Sequence, residues 1–247
     1  MKKVRLDQLV FDLGLTESRE RAKTTVMSGL VFVDGKRIDK PGTQVSPDSK
    51  IEVKGSAIPY VSRGGLKLEK ALKVFHIDPT GMHCIDCGAS TGGFTDVLLH
   101  NGAKKVYAVD VGYGQLAQKL RVDSRVVVLE RTNAKYLTAE QIPEPVGMIV
   151  CDASFIGLRT VLDVPLNFAD PNGAYLIALI KPQFEVEKYQ VGEGGIVRDP
   201  ALHKLVCDTM RDWLSSRAGW TVEGIVESPI KGAEGNTEFL LLGRFSG

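Results

Sequence analysis

Between residues 84 and 183 five short apolar, β-rich runs, "CIDCG", "VYAVDV", "VVVLERT", "GMIVCDAS" and "AYLIALIKPQ", alternate with segments of helical pattern such as "TDVLLHNG", "GQLAQKLR" and "RTVLDVPLNFA". Strands that apolar throughout must be covered on both faces, and helix-length connections supply the cover when the strands run parallel. The alternation therefore predicts an α/β fold with a doubly wound, mostly parallel, Rossmann-like sheet. After a further helical stretch, "HKLVCDTMRDWLSS", the runs "TVEGIVESPI" and "TEFLLLGRF" follow each other without room for a helix, so the sheet is expected to end in an antiparallel pair. At 247 residues and 43% apolar content the chain can bury one large domain of this class and a small appendage.

The appendage is legible at the start. Leu6, Leu9, Val10 and Leu13 recur at helical spacing, which predicts a helix over 4–13 that ends at Gly14. Thr16 or Ser18 can cap a second helix that stops at Gly29. "LVFVDGKRI" carries the Asp34-Gly35 pair of a two-residue hairpin, and "KIEV" supplies a closing strand. Residues 1–54 thus read as a small α+β module, "GSAIP" at 55–59 as a linker, and 60–247 as the large domain. That domain opens on a helix whose stripe is Leu68, Ala71, Leu72 and Phe75. Formal charge is +3 over residues 1–54 and −2 over the rest. Arg19 and Lys23 share one helix face, and with Lys36 and Arg37 of the hairpin they form either a phosphate-binding patch or an ordinary solvated face. No stretch approaches the roughly 20 apolar residues of a membrane span, and no basic-then-apolar signal opens the chain. With only four cysteines, a soluble cytoplasmic protein is expected.

The first strand of the large domain runs into a glycine bend, Asp86-Cys-Gly88-Ala-Ser-Thr-Gly92-Gly93, and then a helix. In a doubly wound sheet ligands sit beyond the carboxyl ends of the strands, so this bend is the expected binding site. Its spacing is not the Gly-x-Gly-x-x-Gly that brings pyrophosphate to a helix N-terminus, which disfavours a nicotinamide-dependent oxidoreductase. A ligand without pyrophosphate, S-adenosylmethionine (SAM), suits it: glycines admit the backbone, and acids can take the ammonium and the ribose hydroxyls. Asp110, ending the next strand, stands where an acid would grip a ribose. Cys84 and Cys87 lack the further ligands of a zinc site and read as small buried thiols; the four histidines are scattered, and no metal is expected.

The methyl acceptor must be read from other residues. Asp152-Ala153-Ser154-Phe155 is not the Asn/Asp-Pro-Pro-aromatic tetrad of amine methylases, and Cys151 lies in an apolar strand without an activating base for pyrimidine C5 chemistry. Lys181 closes an otherwise apolar strand. It is either a snorkelling strand-end residue or a functional amine whose pKa desolvation can lower by up to about 3 to 5 units, the base that an alcohol acceptor would use.

Two resemblances sharpen these readings. "RLDQLVFDLGLTESRERAKTTVMSGLVFVDGKRIDKPG" resembles the S4 RNA-binding domain through its Arg-Leu-Asp start, Ser-Arg-x-x-Ala helix and Val-x-Gly-Lys hairpin. Lys67 in "YVSRGGLKLEKAL", Asp152 in "VCDASF", Lys181 in "LIKPQFE" and Glu238 in "GNTEFLLL" match in order the Lys-Asp-Lys-Glu tetrad of FtsJ-like RNA ribose 2'-O-methyltransferases. With the Tyr-Val-Ser-Arg-Gly junction, nearly the whole chain is similar to the TlyA (hemolysin A) family of rRNA methyltransferases. The resemblance implies methylation of a cytidine 2'-hydroxyl in ribosomal RNA, with ribosomal subunits as partners. It makes Lys181 the base, helped by Asp152 and Lys67, with Glu238 orienting the lysines or the ribose. It gives SAM to Gly88, Gly92, Gly93, Phe94 and Asp110, with Asn133 near the adenine, and RNA to Arg19, Lys23, Lys36 and Arg37. The stretch 183–200, whose glycines at 192, 194 and 195 allow hinge motion, is either a lid or merely disordered, and RNA is expected to order it. A membrane-lytic protein, as the hemolysin label suggests, and a non-catalytic RNA-binding or ribosome-assembly factor are the alternatives.

Overall fold

Val4 and Arg5, which the apolar spacing assigns to the first helix, instead form a strand, β1 (Val4–Arg5), before α1 (Leu6–Asp12) begins. The computed structural model describes residues 3–16, 18–54, 58–232 and 235–247. Periodicity alone missed β1 because its partner is distant: β1 pairs antiparallel with β4 (Gln44–Val45), and Leu6 N donates to Thr43 O. Next come α2 (Arg19–Met27), with Ser18 Oγ accepting from Arg21 N as its cap, and the hairpin β2 (Val31–Val33) to β3 (Lys36–Ile38). The hairpin turn puts Asp34 at φ 50° and Gly35 at φ 80°, the left-handed pair that a two-residue turn requires. β5 (Ile51–Val53) completes a three-stranded sheet in the order β3-β2-β5. Leu6, Val10, Ala22, Val26 and Val31 form this module's core.

The chain divides into two compact units, Met1–Arg63 and Gly64–Gly247. Residues 55–57 of the expected linker lie outside the described residues.

The second unit comprises α3 (Gly65–Phe75), β6 (His83–Cys87), α4 (Gly93–His100), β7 (Lys105–Val109), α5 (Gln118–Arg121), β8 (Val126–Leu129), β9 (Met148–Cys151), α6 (Leu158–Leu162), β10 (Ala174–Ile180), α7 (Pro200–Ser215), β11 (Trp220–Glu227) and β12 (Phe239–Phe245). Its sheet has seven strands in the order β11-β12-β10-β9-β6-β7-β8. The pairs from β8 to β10 are parallel, while β12 is inserted antiparallel between β10 and β11. The last two strands thus make the expected antiparallel pair, but the later one lies inside. All of β9 and six of seven residues of β10 are buried, as central strands covered on both faces must be.

Only Gln118–Arg121 of "GQLAQKLR" is helical, because the residues before it wrap a ligand-sized cleft: Ser90 Oγ donates to Gln115 Oε1 (3.3 Å) and Ala117 N to Thr91 O (3.1 Å). The stretch 183–200 is equally specific. It carries 3₁₀ turns at Pro182–Phe184, Lys188–Gln190 and Glu193–Gly195, and the buried Asn236 side chain accepts from Val197 N (3.0 Å) and donates to Gly195 O (2.9 Å).

Candidate active site

Four side chains separated widely in sequence meet at the carboxyl edge of the sheet. Lys67 rides in the first turns of α3 on the face that Leu68, Ala71 and Leu72 bury, which draws its stem into the core. Asp152 follows β9, its N–H held by Cys87 O (3.1 Å). Lys181 follows β10, where Pro182 stops the strand and restricts the residue before it to an extended conformation. Glu238 immediately precedes β12 and is 2% exposed.

Asp152 is the hub. Its Oδ1 lies 2.6 Å from Lys181 Nζ and its Oδ2 3.2 Å from Lys67 Nζ; Lys67 Nζ also lies 2.8 Å from Glu238 Oε2. Lys181 Nζ donates besides to Ser154 Oγ (2.8 Å) and Asp152 O (3.3 Å). Burying ionisable groups is tolerable only when they are paired, and here each amine lies against a carboxylate. Gly232, which the sequence reading missed, makes room: a Cβ there would stand 2.0 Å from Glu238 Oε1.

Beside the tetrad, over β6, β7 and β9, opens a cleft of about 620 Å³. Asp152, Gly88, Asp110 and Asn133 line it, with Gln115 and Phe155, which sequence reasoning did not single out. Asp110 braces the rim, Oδ2 accepting from Ser90 N (2.8 Å) and Oδ1 from Gly112 N (2.7 Å). The Asn133 side chain accepts from Lys135 N (3.2 Å), so its carbonyl serves a turn even as the residue faces the cleft. Gly92, Gly93 and Phe94 do not line the cleft. Gly92, at φ 97°, starts α4 beneath Leu116 and Leu120, and Phe94 is buried.

Asp86 lies fully buried at the end of β6. Its Oδ2 accepts from Thr95 N (2.9 Å) and Thr95 Oγ1 (2.7 Å), capping α4 from the preceding strand, whereas Oδ1 has no hydrogen-bond partner. Burial pushes the carboxyl up to about 7; the bonds to Thr95 oppose the shift and the charges of Asp152 and Asp110 add to it. Asp86 is not among the residues that line the cleft; the lining itself, with Asp110, Gln115 and Asn133 beside the glycine bend, fits a nucleoside-bearing ligand such as SAM. Because the folded protein holds this proton to a higher pH than the unfolded chain, the ligand-free protein should lose stability as pH rises from about 4 to about 7. Asp86→Asn should remove that loss, which denaturant unfolding of both proteins across this range would measure.

Cys84, Cys87 and Cys151 are buried thiols, those of Cys84 and Cys151 pushed up to about 12 by burial. Among the described residues no helix is long and apolar enough to cross a membrane. Arg19, Lys23, Lys36 and Arg37 are all exposed in the first unit, and Arg37 lies along Gly29 at the end of α2, where a Cβ would sit 3.4 Å from its Cδ.

Residues 60–245 match the model of the FtsJ-like methyltransferases, and residues 4–51 that of the S4 domain. The chain belongs to the FtsJ-like methyltransferase family. Over 242 residues it is 46% identical to the 16S/23S rRNA (cytidine-2'-O)-methyltransferase TlyA of Mycobacterium tuberculosis, covering 97% of this chain and 89% of that one. Hemolysin A of Brachyspira hyodysenteriae is 43% identical over 239 residues, covering 96% of this chain and 98% of the relative. Among solved structures, a candidate hemolysin from Streptococcus thermophilus is similar at a TM-score of 0.77 and 44% identity, over 100% of this chain and 90% of that one. Within the FtsJ-like family the chain is thus of the TlyA type, an S4 domain joined to a methyltransferase domain.

Proposed function

We propose that this FtsJ-like protein methylates the ribose 2'-hydroxyl of a cytidine in ribosomal RNA, with SAM as donor and its S4 domain holding the RNA. One observation carries the reading: two lysines and two carboxylates from four separate elements converge within hydrogen-bond distance, beside a cleft of cofactor size. The names of the TlyA relatives support the same acceptor.

SAM would supply a methyl group on a sulfonium that leaves readily. Asp110, Asn133 and the bend at Gly88 would hold it. The chain's task is then to place the hydroxyl and receive its proton. Positioning of this kind is worth about 7 to 11 kcal/mol. Lys181 Nζ would take the proton, held by Asp152 at 2.6 Å and Ser154 at 2.8 Å. When it does so the site reaches its balanced state, two cations against two anions, so the pairs favour the transfer. Lys67, between Asp152 and Glu238, fixes the carboxylate that fixes the base.

Incubating the protein with labelled SAM and ribosomal subunits from cells lacking this enzyme, then mapping ribose methylation, tests the reading. Label on a cytidine 2'-oxygen is expected. Label on a base, or SAM binding without transfer to either subunit, would overturn it.

A further inference from the structure

A second groove, of about 520 Å³, opens between the start of α7, the end of β11 and the start of β12. Among the described residues, Arg198, Lys204 and Lys231 line it with His203, against a single acid, Glu227. Three formal cations facing one anion stand out in a region, residues 55–247, whose net charge is −2. Lys231 Nζ is engaged by Glu227 Oε1 (3.0 Å) and donates to Thr237 Oγ1 (2.9 Å). Arg198 Nη1 donates to a backbone carbonyl, that of Glu193 (3.3 Å). Lys204 is paired with Asp208 on its own helix, and its side chain is 78% exposed. A pairing that exposed costs little to exchange for another anion.

The groove's place in the fold indicates which anion. The carboxyl end of β11 and the amino end of the antiparallel β12 lie on the same sheet edge as the carboxyl ends of β9 and β10. Along that edge the cofactor-sized cleft covers β7, β6 and β9, the tetrad spans β9, β10 and β12, and the cationic groove follows over β12 and β11. Thr237 and Phe239, which line the groove, flank Glu238 directly. Phe239 faces His203 of α7 while the preceding Glu238 faces Lys67 of α3, so groove and tetrad lie on the two faces of the same sheet end, one residue apart along the chain.

We propose that this groove seats a backbone phosphate of the RNA strand next to the methylated nucleotide, so that the strand runs along the sheet edge from the tetrad toward α7. The proposal rests on the reading of the chain as an RNA methyltransferase and adds the path of its substrate. Phosphate contacts fix register without reading sequence, which is what a ribose-directed enzyme needs beside its reacting atom.

The test uses the full chain and ribosomal subunits from cells lacking the enzyme, with kcat and KM measured over a range of KCl concentrations. For Arg198→Gln/Lys204→Gln, KM for subunits should rise about tenfold with kcat at saturation little changed. The slope of log kcat/KM against log salt should become shallower by about 0.7, the value for one lost phosphate contact of a single strand. SAM affinity should not move, and Arg198→Lys/Lys204→Arg should restore KM. Lys204→Glu, a change at an exposed helix position, should raise KM by itself and guards against a folding defect in the double variant. Unchanged KM and salt slope in variants of an active enzyme would overturn the groove assignment alone, as would a fall in kcat at constant KM. A wild-type protein that methylates neither subunit would instead overturn the reading beneath it, and the groove assignment with it.

Discussion

Lys181→Ala is expected to lower the single-turnover rate of methyl transfer by about 10²- to 10⁴-fold while leaving SAM affinity near that of the unaltered protein. The side chain is lost from the acceptor side of the tetrad, whereas the cleft residues Gly88, Asp110 and Asn133 keep their places. Asp152 retains Lys67 at 3.2 Å, so the truncation does not strand a charge. Lys67→Ala makes the informative contrast. Glu238, 2% exposed, would lose the cation 2.8 Å from its Oε2, and breaking a buried pair by removing one partner costs about 3 to 5 kcal/mol. Rate should therefore fall with little loss of stability at position 181, and stability and rate should fall together at position 67. Denaturant unfolding, SAM titration by calorimetry and single-turnover transfer separate the two. A Lys181→Ala enzyme that turns over normally would remove this amine as the base.

The difference between these two lysines could not have been read from the chain alone. Sequence periodicity exposes what repeats locally: the alternation that gives the sheet, the stripe on α3 and the Asp34-Gly35 turn each depend on neighbours a few residues apart. Lys67 and Asp152 are 85 positions apart, and Asp152 and Lys181 are 29 apart. Their meeting depends on strand order, above all on β12 entering between β10 and β11, and only the ordered match to a family motif joined them beforehand. Gly232 was invisible for the same reason. Its φ lies outside the left-handed region, and its need for hydrogen in place of a side chain exists only because Glu238 arrives there. Local signals also misled where a distant partner won, as at β1, whose residues continue the spacing of α1 but pair with β4. Asp86 was legible as an acid leading into the bend, but not its capping of α4 through Thr95, nor the vacant Oδ1.

Gly88→Ala should damage both the cofactor cleft and the tetrad, although it adds one methyl group. Gly88 sits at φ +82°, and an L-residue in this region carries about 1 to 2 kcal/mol of strain. The new Cβ would stand 2.9 Å from Ala153 Cα and 3.0 Å from Ala153 N. Those are backbone atoms, so no rotamer change relieves the contact; either the bend or the segment after β9 must move. Gly88 N is tied to Val109 O (2.9 Å) and Asp152 N to Cys87 O (3.1 Å), so whichever yields carries with it the end of β6 or the carboxylate that holds both lysines. Gly114→Ala supplies the comparison, because Gly114 has φ +70° but a Cβ there would meet nothing within 4 Å. It should show the conformational strain alone, about 1 to 2 kcal/mol in denaturant unfolding. Gly88→Ala should exceed it by a further amount of about 1 to 3 kcal/mol for the overpacked contact, and should weaken SAM binding at least tenfold in a calorimetric titration. Equal losses in the two variants would mean that the approach of Gly88 to Ala153 has slack, and that the bend does not set the position of Asp152.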